Sequence, residues 1–296
     1  MKPKALLILH GKQAANEALR DAIMERRDAG WDLAVRVTWE GGDAQRYVRE
    51  ARAQGYGTVI AGGGDGSVRE ITQALMGDDE PPLALAIVPL GTANDLATAA
   101  GIPESPAEAL ALLENTPHPV DAIRANGEYY LNMATGGFGT EVTTETSEDL
   151  KKLLGGAAYL LTGLTRFAEV HPAEGKFEGL DFQWQGEFLA LGVGNGSQAG
   201  GGQRLCPDAK LDDGLMDVAI LPAQMDLLAG VKNLFSGDNT NEGLFVRTRL
   251  KELRITTPEP MNLNLDGEPL QATEFNLQVH PRALSLHLPE DSPLLD

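Results

Sequence analysis

A short apolar run, Thr58-Val59-Ile60-Ala61, ends in Gly62-Gly63-Gly64-Asp65-Gly66-Ser67 and opens into a helix-like segment over residues 68–75. This glycine-rich turn between a strand and a helix restricts the fold more than any other feature of the chain. Without Cβ atoms the backbone turns sharply and lets a ligand come close. The helix start behind it offers free amides and a favourable dipole to an anion. An aspartate inside such a turn would repel a phosphate by itself, and makes sense if a metal ion or a donor group mediates. The common nucleotide motifs do not describe the turn. G-x-G-x-x-G fails from Gly62, where its last position is Ser67, and from Gly64, where it is Arg69. No G-x-x-x-x-G-K-[ST] occurs either, because Gly11-Lys12 has Leu6 at the required glycine and Gln13 after it.

The surrounding pattern supplies a parallel α/β sheet for that turn. Strand-like runs at residues 5–9, 33–38, 58–61 and 85–88 alternate with helical stretches at 17–28, 44–53 and 68–76, stopped by Gly30, Gly55 and Gly77. This rhythm implies right-handed βαβ crossovers. Ser105-Pro106-Ala107-Glu108 predicts a further helix with a capping box. Ligands of such sheets sit at the carboxyl ends of the strands. Three loops converge there: Thr38, the glycine turn, and Pro89-Leu90-Gly91-Thr92-Ala93-Asn94-Asp95.

After Asp121 the pattern changes. Residues 123–135 read as a hairpin around Asn126-Gly127, and a mostly helical insert is expected over 141–170. Strands follow at 188–193, 215–221, 244–255, 261–265, 275–279 and 284–288, the last with clear alternation. The second half is expected to form a β-rich, sandwich-like domain.

Composition narrows the function. With 24 basic against 43 acidic residues the formal charge is −19, which argues against a nucleic-acid partner held by nonspecific electrostatics. The single cysteine, Cys206, excludes an internal disulfide and a CxxC metal site and suits a reducing cytosol. The apolar core of the N-terminus, Ala5-Leu6-Leu7-Ile8-Leu9, is broken by His10-Gly11-Lys12, so it reads as a first strand and not as a signal peptide. The histidines show no metal spacing. A cytoplasmic protein is expected.

Gly63-Gly64-Asp65-Gly66-Ser67 with Glu70, then residues 89–95, resemble the diacylglycerol-kinase catalytic domain family, which shares the GGDG turn with NAD kinases and phosphofructokinases. Later stretches extend the match: Gly194-Asn195-Gly196, Gly200-Gly201-Gly202, Cys206-Pro207, Asp213-Gly214-Leu215 and Leu265-Asp266-Gly267-Glu268. In order they look most like the bacterial YegS-type lipid kinases. The resemblance implies an N-terminal Rossmann-like parallel α/β domain (NAD-kinase/phosphofructokinase-like), residues 1–122, and a C-terminal β-sandwich-like domain, residues 123–285. The active site would lie in the cleft between them, with a tail, 286–296, returning to the first domain. Two positions depart from the family: Ser67 where Thr is usual, and Arg69 where Asn is usual. Arg69 could contact phosphate or pair with Glu70.

The implied reaction moves the γ-phosphate of ATP to a free hydroxyl of a membrane lipid, with phosphatidylglycerol and diacylglycerol the leading acceptors. Phosphoryl transfer needs a phosphate cradle, a charge-spreading metal and an oriented hydroxyl. The cradle would be Gly63, Gly64, Asp65, Gly66 and Ser67, continued by Val68, Arg69 and Glu70, with Thr38 and Thr92 toward the nucleoside. Asp65 would act through magnesium, with calcium as the alternative ion; as a lone residue it reads as a helix cap. Glu268 is implied as the proton acceptor. Lys210 and Leu215 would give backbone oxygens, and Asp213 a carboxylate, to a structural cation, unless the segment is a plain Asp-Gly turn. Asn195 and Gly200–Gly202 read as backbone-close elements of the second domain. Two features suggest peripheral contact with the inner membrane surface during catalysis: Arg247, Arg249 and Lys251 on one strand face, and the apolar stretch 153–167; a solvated face and a core helix are the alternatives. No obligate protein partner is evident. A soluble-substrate kinase of the NAD-kinase type and a non-catalytic nucleotide-binding protein of the same fold remain open.

Overall fold

The computed structural model describes residues 3–76, 82–137, 172–223 and 245–296. Four parallel strands begin the fold: β1 (Lys4–His10), β2 (Asp32–Thr38), β3 (Thr58–Gly63) and β4 (Ala84–Pro89), in the order β4-β3-β1-β2. Every residue of β3 and β4 is buried, which is why both read as apolar runs without alternation. Helices cover the sheet: α1 (Glu17–Asp28), α2 (Asp43–Ala53), α3 (Asp65–Met76), α4 (Asp95–Ala99) and α5 (Pro106–Ala111). The Asn16 side chain caps α1 by accepting the Leu19 amide at 3.0 Å. Ser105 makes no side-chain cap at α5, although Pro106 takes the first turn as expected.

Helix α3 starts at Asp65, three residues before the start expected at Val68. Asp65, Gly66 and Ser67 are therefore a first helical turn, not a loop, and the Ser67 amide already donates to the Gly64 carbonyl at 3.0 Å. An acidic residue and a serine are favourable there, because the first-turn amides lack intrahelical partners.

The remaining strands are antiparallel: β5 (His118–Ala125), β6 (Glu128–Tyr130), β7 (Met133–Gly136), β8 (Ala173–Gly179), β9 (Phe182–Gly194), β10 (Met216–Pro222), β11 (Val246–Leu250), β12 (Glu252–Leu265) and β13 (Glu268–Leu286). They follow the order β11-β10-β9-β7-β12-β13, with β8 bridging β12 and β9. The run expected at 244–255 is two strands broken at Lys251, while 261–265 and 275–279 are parts of the long β12 and β13. The hairpin expected around Asn126-Gly127 joins β5 to β6, with both turn residues at positive φ. The insert expected over 141–170 lies outside the described residues.

Two apolar cores divide the chain. One gathers the parallel strands and helices, and the other is built around Phe177, Phe188 and Phe275. Phe177 and Phe188 pack edge to face with ring centroids 5.3 Å apart. Strands β5 and β13, paired with each other, run through both cores. Val120 and Ala122 face the first and Ile123 and Ala125 the second; Leu277 and Val279 face the second and Leu284 and Leu286 the first. A bulge between His280 and Leu284 kinks β13 at the crossing, where buried Asp121 accepts the Arg282 amide at 2.8 Å and the Gly214 amide at 2.6 Å.

The end of β13 departs from the half-buried antiparallel strand expected at 284–288. It runs parallel to β4 (Leu286 opposite Leu85) and antiparallel to β5, and His287 is buried against the Thr58 hydroxyl at 3.2 Å. Beyond it Leu288 and Leu294 enter the first core, and the Ser292 hydroxyl donates to the Ala100 carbonyl at 2.8 Å.

Candidate active site

The carboxyl ends of β3 and β4 meet through two glycines. A Cβ built on Gly91 would stand 2.5 Å from Gly64 Cα and 2.8 Å from Asn94 Oδ1, so the glycine turn and the loop after β4 touch backbone to backbone. Asn94, at φ 50°, fixes its loop by a reciprocal pair with Gly91: Oδ1 accepts the Gly91 amide at 2.9 Å and Nδ2 donates to its carbonyl at 3.0 Å. A Cβ on Gly63 would lie 2.3 Å from Ser67 Oγ, which places that hydroxyl over the strand end. By contrast nothing lies within 4 Å of a Cβ on Gly66. Gly66, in the first turn of α3, therefore leaves open space beside the helix start, room for a phosphate. Gly91→Ala is expected to push the two loops apart at a cost of about 2 kcal/mol, lowering Tm by roughly 5 °C. A melting curve matching wild type would refute the contact.

Carboxylates surround this cradle. Asp65, at the first turn of α3, lies near the start of α4, whose Leu96 and Asp95 amides favour its charged form. Desolvation, and after it the charge of Asp95, raise the Asp65 pKa. A divalent cation would relieve both penalties, so the Asp65 site fits one chemically. Asp95 is 5% exposed and reaches into the second domain, accepting the Gly201 amide at 3.0 Å and the Gly202 amide at 2.8 Å. The Gly200–Gly202 run is thus backbone-close as expected, but what it approaches belongs to the first domain. Asn195 ties the same region, its buried amide donating to the carbonyls of Asp121 at 3.0 Å and Leu131 at 2.9 Å.

Asp266 forms the far wall. It occupies the two-residue turn between β12 and β13, at φ 46°, followed by Gly267 at φ 96°. Its carboxylate, 8% exposed, accepts the amides of Leu131 at 3.0 Å, Asn132 at 3.2 Å and Met133 at 2.8 Å. Burial nevertheless pushes it up to about 6, against those three amides and with the charge of Asp65 adding to the rise. Glu268 opens β13, opposite Leu265, with an exposed side chain.

The other expected site residues divide by what their side chains do. Thr92 is exposed on the loop after β4; Thr38 ends β2 opposite His10 and is half-buried. Val68 is buried in the first core, so only its backbone can face a ligand, and Glu70 is exposed. Arg69 pairs neither with Glu70 nor toward the open face of Gly66: its guanidinium donates to Glu128 of β6 at 3.2 Å. Gln73, one turn on, accepts the Tyr129 amide at 2.7 Å, so this face of α3 is bound to the β5–β6 hairpin.

The proposed cation turn is arranged differently from the expectation. Both oxygens of Asp213 are engaged, one by the Leu215 amide at 2.9 Å and the other by Arg249. The Lys210 ammonium donates to the carbonyls of Pro293 at 3.1 Å and Leu295 at 2.8 Å, holding the C-terminal segment. As folded, Arg249 occupies the Asp213 carboxylate that a cation would share. No group of three metal-binding side chains occurs among the described residues. On the cationic strand face Arg247, Arg249 and Lys251 are exposed, and the two arginines also hold partners within the chain. Arg249 also pairs with Asp217 at 3.2 Å, and Arg247 donates to the Leu205 carbonyl and covers the Phe245 ring at 4.9 Å. The apolar stretch 153–167 lies outside the described residues. No helix among those described is long and apolar enough to cross a membrane.

Comparison with known proteins agrees with this arrangement. Residues 4–125 match the diacylglycerol kinase catalytic domain, and residues 134–288 the YegS C-terminal NAD kinase beta sandwich-like domain. A protein of Alcanivorax borkumensis named "Probable lipid kinase YegS-like" is 67% identical over the whole of both chains. One of the same name from Pseudomonas aeruginosa strain PAO1 is 60% identical, covering 99% of this chain and 97% of its own. A crystal structure described as a diacylglycerol kinase from Bacillus anthracis str. Sterne superposes with a TM-score of 0.77 at 25% identity, over 97% of each chain. The chain therefore belongs to the diacylglycerol kinase catalytic domain family, as a two-domain kinase of the YegS-like lipid kinase group.

Proposed function

We propose that this kinase transfers the γ-phosphate of ATP to a free hydroxyl of a membrane lipid, with phosphatidylglycerol and diacylglycerol the leading acceptors. The observation that carries this reading is the seam beside the glycine turn, where Asp95 of the first domain accepts the Gly201 amide at 3.0 Å and the Gly202 amide at 2.8 Å. The turn bearing Glu268 belongs to that same second domain.

The backbone from Gly63 to Ser67 would receive the phosphates, with the Ser67 hydroxyl as a further donor and Thr38 and Thr92 toward the nucleoside. Asp65 would hold magnesium, or calcium in its place, which supplies neutralisation of charge on the transferring phosphoryl group. Glu268 takes the proton from the lipid hydroxyl as that oxygen bonds to the γ-phosphorus. The bond from that phosphorus to its bridging oxygen breaks, and ADP leaves. We assign residues 1–122 and the returning tail 286–296 to nucleotide binding and 123–285 to the acceptor side. Catalysis would take place against the inner membrane surface.

Incubation with γ-labelled ATP and a panel of lipids should give label in a glycerol-bearing lipid. Label transferred to NAD, and to no lipid, would instead favour the soluble-substrate reading.

A further inference from the structure

Trp39 is 93% exposed, more than any other large apolar side chain among the described residues. It does not hang from a loose loop. The carboxylate of Asp43 accepts the Trp39 amide at 2.7 Å and the Glu40 amide at 3.2 Å, and is itself buried and paired with Arg46 at 2.8 Å. The chain leaving β2 is thus fixed, and it holds the indole in solvent directly after Thr38, at the carboxyl edge of the sheet where ligands collect.

The orientation of the substrates follows from the two walls of the site. The acceptor side meets the cradle from beyond β4: the loop after β4 touches the glycine turn at Gly64 and Gly91, and Asp95 at the end of that loop is covered by Gly201 and Gly202. In-line transfer requires the γ-phosphate to face that side. The nucleoside must then point the other way, across the end of β1 toward β2. From β3 to β2 is two strand spacings, about 10 Å, within the length of a nucleoside triphosphate. Thr38 and Trp39 stand at that place, and the indole face is uncovered.

We propose that Trp39 is the platform on which the adenine ring stacks, which makes it a nucleoside-positioning residue of this kinase. The proposal rests on the ATP-dependent reading above. Base–aromatic stacking uses the π-face and not the hydrogen-bonding edge, so Trp39 supplies affinity without choosing between purines. Tryptophan also suits a membrane interface, but Glu40 beside it and the acidic chain as a whole oppose an anionic surface.

The test compares full-length wild type, Trp39→Ala and Trp39→Phe by intrinsic fluorescence and calorimetry. The probes are magnesium-ATP, magnesium-GTP, magnesium tripolyphosphate and phosphatidylglycerol vesicles. ATP should quench wild-type emission, tripolyphosphate should not, and the quench should vanish in Trp39→Ala. The Kd for ATP should weaken about tenfold in Trp39→Ala and by about twofold in Trp39→Phe, with GTP following ATP and tripolyphosphate unaffected. Equal ATP affinity in wild type and Trp39→Ala overturns the proposal. So does a blue shift of Trp39 emission on vesicles with no response to ATP, which would assign the indole to a lipid surface. Wild type that binds no ATP overturns the ATP-dependent reading itself, and the wild-type calorimetry tells that failure from the others.

Discussion

Glu268→Gln is expected to abolish lipid phosphorylation while leaving folding and nucleotide binding nearly unchanged. The residue stands one position past a turn whose two positive-φ residues, Asp266 and Gly267, give the twist a two-residue hairpin requires. That geometry fixes the backbone of Glu268 against Leu265 while its side chain projects into solvent. An exposed carboxylate contributes little to stability, so the amide should shift Tm by no more than a degree or two. As a general base, by contrast, a carboxylate contributes about 10²- to 10⁴-fold to rate, and glutamine cannot accept the proton. Steady-state kinetics should show kcat lower by at least about a hundredfold with an unchanged Kd for ATP. Turnover within tenfold of wild type would place the base elsewhere.

The sequence is most legible where the physics is local. Helix α1 runs from Glu17 to Asp28 as expected, because Asn16 caps it and Gly30, at φ 101°, stops it. Strands β3 and β4 announce themselves because burial on both faces leaves only apolar residues. The start of α3 is misread because glycines and an aspartate look like a loop, although a first helical turn tolerates them. Strand β8 goes unread: only Gly175 and Phe177 of its residues are buried, too few to show a period of two.

Long-range pairing leaves no local trace at all. Nothing near Arg69 points to Glu128, and nothing near Asp95 points to Gly201, more than a hundred residues away. Arg247 and Arg249 alternate as a membrane-facing strand would, yet the partners they meet, the Leu205 carbonyl, Asp213 and Asp217, come from other segments. The family motifs found the cradle; they did not show that Asp95 joins the domains beside it.

Asp266→Ala should be the most damaging of these changes to the fold. Its carboxylate is the acceptor for three buried amides, those of residues 131–133, on the strand connection that leads into β7. Each buried donor left unpaired costs about 1–3 kcal/mol. With partial rehydration the sum is about 4 kcal/mol, or roughly a 10 °C drop in Tm. The ionised group also has a cost of its own, because burial raises its pKa from 3.8 to about 6. Between those values the folded protein keeps a proton that the unfolded chain has released. This contribution to stability is therefore fully present below pH about 4 and falls as pH rises through about 6, by roughly 3 kcal/mol in all. Denaturant titrations of wild type and Asp266→Asn across pH 4 to 8 should show the difference between them moving against wild type over that window and level beyond it. A difference that moves toward wild type as pH rises would mean that the three amides outweigh desolvation. Because the charge of Asp65 contributes to the rise, a divalent cation held by Asp65 should move the window to lower pH, so the same titration with and without magnesium reads the coupling between the two domains directly.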